Sequence, residues 1–471
     1  MIKVDVCVIG AGSGGLSVAA GAAQMGAKVA LVEKAEMGGD CLNTGCVPSK
    51  SILAAGHVAQ SMREACQFGI VSQPPQVDWQ GVHDHVHGVI AAIAPNDSQE
   101  RFEKLGVTVI RAAGEFIDKH TLKAGDQQIR AKYFVLATGS SAFVPPIEGL
   151  DQVDYFTNEN IFDNTEPVTH LIVIGGGPIG MELAQAHRRL GAEVTVMEMA
   201  RLLVKDDPEL TKIVIQRLQG EGLNLVEGGR NLKLEKTADG QIAARCSSDK
   251  GKQCAIGSHL LIATGRRANV NDLNLEAAGV NYSPRGVDID ARLRSSNKHI
   301  FAIGDVAGPY QFTHMAAYQA GIVIRNMLFK LPAKVNYSAV PWVTYTDPEL
   351  AHVGMSEADA IEAGHDIRVL RWQFEENDRA QAEKRTEGMI KVITTPKGFI
   401  LGASIVGIHA GELIQPWILA ISQKLKIGAM ASMIAPYPTL AEANKRIAGS
   451  FYTDKLFSAT TKRLVHFLLK F

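Results

Sequence analysis

With 471 residues, 46% of them hydrophobic, the chain is long enough for about three domains with buried cores. Its formal net charge of −1 gives no bias towards nucleic acid, and no apolar run is long enough to span a bilayer. Six cysteines are too few for a disulfide scaffold in a chain of this length, which predicts a reducing, cytoplasmic setting. The first predicted strand, residues 4–9, starts so early that no room is left for a targeting peptide. It runs into Gly10-Ala11-Gly12-Ser13-Gly14-Gly15, an Ala-rich helical stretch and a second strand, residues 29–32, ending in Glu33. This pattern predicts a dinucleotide site. Gly10, Gly12 and Gly15 let the backbone approach a pyrophosphate, the helix N-terminus faces its charge, and Glu33 accepts ribose hydroxyls.

Cys41 and Cys46 follow in Gly38-Gly39-Asp40-Cys41-Leu42-Asn43-Thr44-Gly45-Cys46-Val47-Pro48-Ser49-Lys50. Positions five apart lie about 140° around a helix, poorly placed for a disulfide. Cys41 is therefore expected in an irregular turn relaxed by Gly39 and Gly45, with regular helix from about Pro48. A thiol pair directly after a nucleotide loop points to a redox-active disulfide fed by a flavin. Two unrelated thiols or half a zinc site are the alternatives, but Cys7, Cys66, Cys246 and Cys254 are scattered and form no second pair. No metal site is predicted. His83, His85 and His87 alternate, yet the run over residues 86–93 favours a helix that spreads them round its axis.

Further on, Gly114 and Ala137-Thr138-Gly139-Ser140 follow, the latter ending a buried strand at residues 134–136. A second glycine loop then appears with Gly175, Gly177 and Gly180, and its second strand ends in Glu198. Glu33 follows Gly15 by 18 residues and Glu198 follows Gly180 by 18 (33 − 15 and 198 − 180). One such loop is weak evidence; two complete copies predict two dinucleotide sites. Ala263-Thr264-Gly265-Arg266 ends another strand, and the strand at residues 299–303 leads to Asp305 and then to Gln311-Phe312-Thr313-His314.

The Cys41–Cys46 segment resembles the active-site signature of the class I flavoprotein disulfide reductases, in the branch of dihydrolipoamide dehydrogenase and mercuric reductase. The resemblance runs from about Val4 to Glu442. It implies an α/β fold with two Rossmann-like dinucleotide-binding domains plus a C-terminal α+β dimerisation domain. The implied boundaries are an FAD domain at 1–150 and 271–335, an NAD domain at 151–270 and a dimerisation domain at 336–471. FAD would occupy the first loop, with Gly114, Thr138, Gly139 and Ser140 nearby, Asp305 on the ribityl chain, and Gln311, Phe312, Thr313 and His314 lining the ring. NADH would occupy the second, with Gly175, Gly177, Gly180, Glu198 and Gly265. Cys46 would be the thiolate against the flavin and Cys41 the thiol that exchanges with substrate, while Lys50 would pair with Glu182. Glu198 favours NADH over NADPH, because a carboxylate repels a 2′-phosphate, although Arg201 and Lys205 lie close in sequence.

The segment Ala435-Pro436-Tyr437-Pro438-Thr439-Leu440-Ala441-Glu442 departs from the commonest family pattern. Glu442 is kept, but Tyr437 stands where disulfide-reducing members place a histidine that deprotonates the substrate thiol. A phenol with a pKa of about 10 leaves roughly one phenolate in a thousand at pH 7, a poor general base. Mercuric reductases also carry Pro-Tyr here. Against that, no cysteine follows Cys254, and no heavy-metal domain precedes the first strand. His409 is a candidate substitute base. The expected protein is a homodimeric, FAD-dependent NAD(P)H oxidoreductase that reduces a disulfide, a metal ion or another thiol-reactive small molecule. Dihydrolipoamide dehydrogenase is the alternative, and a slow flavin–nicotinamide redox sensor the alternative of another class. The basic, amphipathic stretch 461–471 is expected to pack on the dimer rather than touch a membrane.

Overall fold

The computed structural model describes all 471 residues, in two compact units. The first comprises residues 1–64, 72–199 and 228–336, and the second residues 65–71, 200–227 and 337–471.

The first unit is built on a sheet that opens with β1 (Ile2–Ile9), followed by α1 (Ser13–Gln24), β2 (Val29–Glu33), α2 (Gly39–Asn43) and α3 (Cys46–Glu64). After α4 (Trp79–Ile93) and α5 (Gln99–Lys104) come β3 (Val107–Arg111), β4 (Gly114–Asp118), β5 (Thr121–Ala124) and β6 (Gln127–Leu136). The order is β3-β2-β1-β6-β5-β4, and the strand Ile300–Ala302 also pairs with β6. β1 runs parallel to β2 and β6, with Val8 opposite Leu31 and Val135. Alternate residues of β1 serve opposite faces. Val6 and Val8 pack with Leu16, Val18 and Val323, whereas Cys7 and Ile9 pack with Phe116, Leu122 and Phe134. That burial on both faces explains the unbroken hydrophobic run Val6-Cys7-Val8-Ile9 at the end of the strand.

The motif repeats at β7 (His170–Ile174), α6 (Pro178–Arg189) and β8 (Glu193–Met197), with the strand His259–Ile262 parallel to β7. A three-stranded antiparallel sheet, residues 230–257, follows in the same unit.

In the second unit five antiparallel strands, within residues 341–407, form a sheet covered by helices around the buried Trp417. The helix Pro208–Gly220, inside the stretch expected to form the NAD domain, clusters with this sheet. Charge explains the docking. The Lys391 side chain is 4% exposed, and its Nζ lies 2.7 Å from Asp207, 3.0 Å from Glu209 and 2.7 Å from Glu357. Arg371 holds Glu209 bidentately at 2.7 and 2.9 Å, and Trp342 Nε1 donates to Asp206 at 2.8 Å. These two cations bring the Glu209 carboxyl down to a pKa of about 2. No helix is long and apolar enough to cross a membrane.

Candidate redox-active site

Each glycine loop is forced by close backbone approach. A Cβ on Gly15 would sit 1.8 Å from the Gly10 carbonyl oxygen, and one on Gly180 would sit 2.1 Å from that of Gly175. Only a residue without a side chain lets the helix begin against the end of the strand. Neither helix has a side-chain cap at Gly12 or Gly177, so each presents its N-terminal dipole to the loop. The two acids also act alike. Glu33 Oε2 accepts the Ala11 N–H at 2.6 Å, and Glu198 Oε2 accepts the Gly176 N–H at 2.6 Å. Glu33 Oε1 further accepts from Ala35 at 2.7 Å. Both carboxylates thus fix their own loops, and each oxygen keeps a second lone pair for a ribose hydroxyl. Gly114 lies where a Cβ would approach Val32 and Leu122, beside the end of β2. These features fit the dinucleotide groups expected at both loops.

The thiol segment is clamped onto the first loop. Gly38 N–H donates to the Ala11 carbonyl at 3.0 Å, and a Cβ on Gly39 would lie 2.7 Å from the Gly12 Cα. Cys41 sits in the helical turn α2 rather than in an irregular turn. Asn43 stabilises that turn by donating to Met37 O and Gly39 O. The chain breaks at Thr44, and α3 starts at Cys46, earlier than the expected Pro48. Gly45 is needed for space: a Cβ there would be 2.8 Å from the Asp40 carbonyl oxygen. The break removes the helical constraint that would hold positions five apart on divergent faces, and the two thiols hydrogen-bond.

This geometry separates their chemistry. The Cys46 pKa falls to about 6, chiefly because the Cys41 thiol donates to its sulfur. The Thr313 hydroxyl, 3.3 Å away, and the Lys50 charge add to the effect, while burial and Asp40 oppose it. Cys41 is raised well above the ordinary thiol range by that same hydrogen bond and by burial. At neutral pH the pair is one thiolate and one thiol. Cys7 is fully buried, with its pKa raised by desolvation, and takes no part.

Lys50 Nζ meets Glu182 Oε2 at 2.7 Å, joining α3 to the helix that follows the second loop. Gly56 makes the crossing close, since a Cβ there would lie 3.3 Å from Ala186 Cα. Around the thiols, the sequence reading passed over Arg266 and Asp40. Arg266 donates to Ser140 Oγ and to the Ser140 carbonyl, each at 2.7 Å, and lies 3.2 Å from Asp40 and 3.8 Å from Asp305. Ser140 Oγ in turn donates to Asp305 at 2.5 Å. Asp40 also accepts from Asn158 Nδ2 at 3.2 Å and Thr44 Oγ1 at 3.1 Å. Burial raises the Asp305 pKa, against the pull of Ser140 and Arg266. The signal for Arg266 in the sequence was its place directly after Gly265, and only the fold brings it to Asp40. Thr138 Oγ1 donates to Asn269 O at 2.7 Å, pinning the Thr138–Ser140 turn, and Gly265 O accepts the Phe143 N–H at 3.0 Å. Phe312 and His314 stack at 5.2 Å beside Thr313, and Gln311 precedes them.

Tyr437 and Glu442 belong to the second unit. Tyr437 is 67% exposed, follows Pro436 and precedes Pro438 through a cis bond. Its hydroxyl donates to Asp378 at 2.8 Å, and that bond raises its pKa above the usual phenol value. Glu442 pairs with Arg446 at 2.7 Å. Exposed His409 has a left-handed φ of 56° at the start of a short helix. In the first unit, His83 and His87 share a face of α4, with ring centroids 4.2 Å apart. The expected spreading of the three histidines is corrected there, because positions four apart lie on one face. No group of three metal-ligating side chains occurs.

The sequence model described as "Pyridine nucleotide-disulphide oxidoreductase" matches residues 4–320, and that of its dimerisation domain matches residues 340–448. A mercuric reductase of Bacillus cereus is 35% identical over 454 residues, covering 96% of this chain and 72% of that protein. A dihydrolipoyl dehydrogenase of Thermus scotoductus is 33% identical over 474 residues, covering 97% of this chain and 99% of its own length. The Cu(II) complex of the HOCl-induced flavoprotein disulfide reductase RclA from Escherichia coli superposes with a TM-score of 0.84. Its identity is 25%, with 94% of this chain and 99% of that chain covered. The chain belongs to the pyridine nucleotide-disulphide oxidoreductases, enzymes that bind FAD and NAD(P)H.

Proposed function

We propose that the protein is an NADH-dependent reductase that feeds the Cys41–Cys46 pair and delivers two electrons to a thiol-reactive acceptor, in the manner of a mercuric reductase. The observation that carries this reading is the place of the Cys46 sulfur, 3.3 Å from the Thr313 hydroxyl and beside the Cys41 thiol and the Lys50 charge, contacts that lower its pKa. Bound flavin supplies the two-electron relay between the hydride donor and the disulfide. Gly10, Gly12, Gly15 and Glu33 hold its nucleotide end, and Asp305, carried by Ser140 and Arg266, lies ready for its ribityl hydroxyls. Lys50 and Glu182 tie the thiol helix to the nicotinamide-side helix. Overall, one NADH and one proton reduce the disulfide to two thiols. Those thiols return two electrons and two protons when the acceptor is reduced, and the disulfide re-forms.

Residues 1–150 and 271–335 form the FAD domain in this reading, 151–270 the NAD domain and 336–471 the dimer domain, with Tyr437 and Glu442 serving the thiols of a second copy. Tyr437 favours a metal ion or quinone over a dithiol substrate, because its phenol is tied to Asp378 as a donor. The dihydrolipoamide reading is supported by the Thermus scotoductus relative, 99% of whose length is matched by this chain. Steady-state NADH oxidation with mercuric ion, cupric ion, a quinone, lipoamide and glutathione disulfide separates them. Metal-ion or quinone turnover should dominate and vanish in Cys41→Ser and Cys46→Ser. If no acceptor raises the rate above its absence, a slow redox sensor replaces this reading.

NADH should be the better donor. Arg201, the cation nearest to Glu198 in sequence, already donates to Thr211 Oγ1 at 3.0 Å and to the carbonyls of Val204 and Asp206 at 2.9 Å. Glu198→Arg should move the NADPH/NADH ratio of kcat/KM up by roughly tenfold or more. A wild-type protein that prefers NADPH would sink this use of the acid.

A further inference from the structure

The helix Ala459–Leu468 lies past the segment matched by the dimerisation domain, which ends at residue 448. It is a formed helix with a side-chain cap: Ser458 Oγ accepts the Thr461 N–H at 3.2 Å, and Thr461 Oγ1 donates to Lys455 O at 2.7 Å. Yet none of its residues is buried, and Leu464, Phe467 and Leu468 each expose over half of their surface. At about 100° per residue, these three fall on one arc, and Lys462, Arg463 and His466 fall on the opposite one. The Phe471 ring meets that of Phe467 at 5.4 Å and prolongs the apolar side beyond the helix end. From Lys455 to Phe471 there is no aspartate or glutamate; Lys455, Lys462, Arg463 and Lys470 all carry positive charge.

In place of the dimer packing expected from the sequence, we propose that this helix is a docking surface for an anionic phospholipid membrane, lying in the plane of the interface. The apolar arc enters the acyl boundary while the basic arc meets the headgroups. Charge decides the occupant. A second copy of the same helix would cover the apolar arc but leave the basic arc without a counter-charge, whereas an anionic bilayer complements both arcs. The whole chain is nearly neutral, at −1, so the attraction is local to this helix.

The purified full-length flavoprotein is sedimented with vesicles of phosphatidylglycerol in phosphatidylcholine and with vesicles of phosphatidylcholine alone. It should pellet with the anionic vesicles and stay in solution with the neutral ones. Binding should weaken as salt shortens the Debye length. Leu464→Asp with Phe467→Asp, and separately Lys462→Glu with Arg463→Glu, should each lower the bound fraction roughly tenfold. Flavin absorbance and the native mass by light scattering should not change, because the substituted side chains are exposed. The proposal is overturned by equal binding to both vesicle types or by none to the anionic ones. It is also overturned if the Leu464→Asp, Phe467→Asp protein loses native mass, which would assign the face to a second copy.

Discussion

Tyr437→His should raise dihydrolipoamide oxidation near pH 7 by up to about 10²–10⁴-fold, the usual range for a well-placed general base. The wild-type phenol is a poor base for two reasons. Its ordinary pKa leaves roughly one phenolate in a thousand at neutral pH, and its hydrogen bond to Asp378 pushes the pKa higher still. Raising the pH to about 9 should therefore not rescue the wild type, since the phenol stays protonated there. An imidazole titrates near neutrality and takes the thiol proton directly. Recovery is limited by Glu442, which pairs with Arg446 and must release it to orient the new ring. Flavin reduction by NADH should be unaffected, because that half-reaction does not use this base. Stopped-flow of both half-reactions in wild type, Tyr437→His and Tyr437→Phe makes the comparison. If the wild type is already fast and Tyr437→Phe equals it, another base operates, and His409 becomes the candidate.

The second large effect concerns Cys46. In the reduced protein its thiolate absorbance should titrate with a midpoint near pH 6. The charged form exists above that midpoint and is lost as the pH falls through it, so at pH 7 thiolate exceeds thiol by about ten to one. The NADH-dependent long-wavelength absorption of the flavoprotein should fade over the same window. Cys41→Ala should move the midpoint furthest up, because the Cys41 thiol is the largest stabilising contact. Thr313→Val should raise it less, and Lys50→Met less again, following the order of their contributions. Asp40→Asn should lower it, since that carboxylate opposes the thiolate. An unchanged midpoint in Cys41→Ala would show that the two thiols do not share a proton.

Sequence alone determined the parts of this protein that depend on local chain chemistry. Gly10 and Gly175 head two loops of the same spacing, and Glu33 and Glu198 end strands at the same distance, because a strand–turn–helix unit has few ways to close. The cysteine pair pointed to a redox role by position and type. The family followed from residues that lie close together in the chain. What the tertiary structure decided depends on residues far apart. Cys46 is acidic chiefly because the Cys41 thiol meets its sulfur, and Thr313, 267 positions away, adds to the effect. Asp40 is held by Arg266 and Asn158, and Lys50 is neutralised by Glu182, 132 positions on. α3 starts at Cys46, two residues before Pro48, where Gly45 leaves room for the chain to pass the Asp40 carbonyl. The allegiance of the helix Pro208–Gly220 to the C-terminal sheet was equally hidden. It rests on Lys391, a single buried cation whose carboxylate partners come from both sides of a long stretch of chain. A hydrophobic or charge pattern shows which face of an element seeks a partner, but not which distant partner meets it.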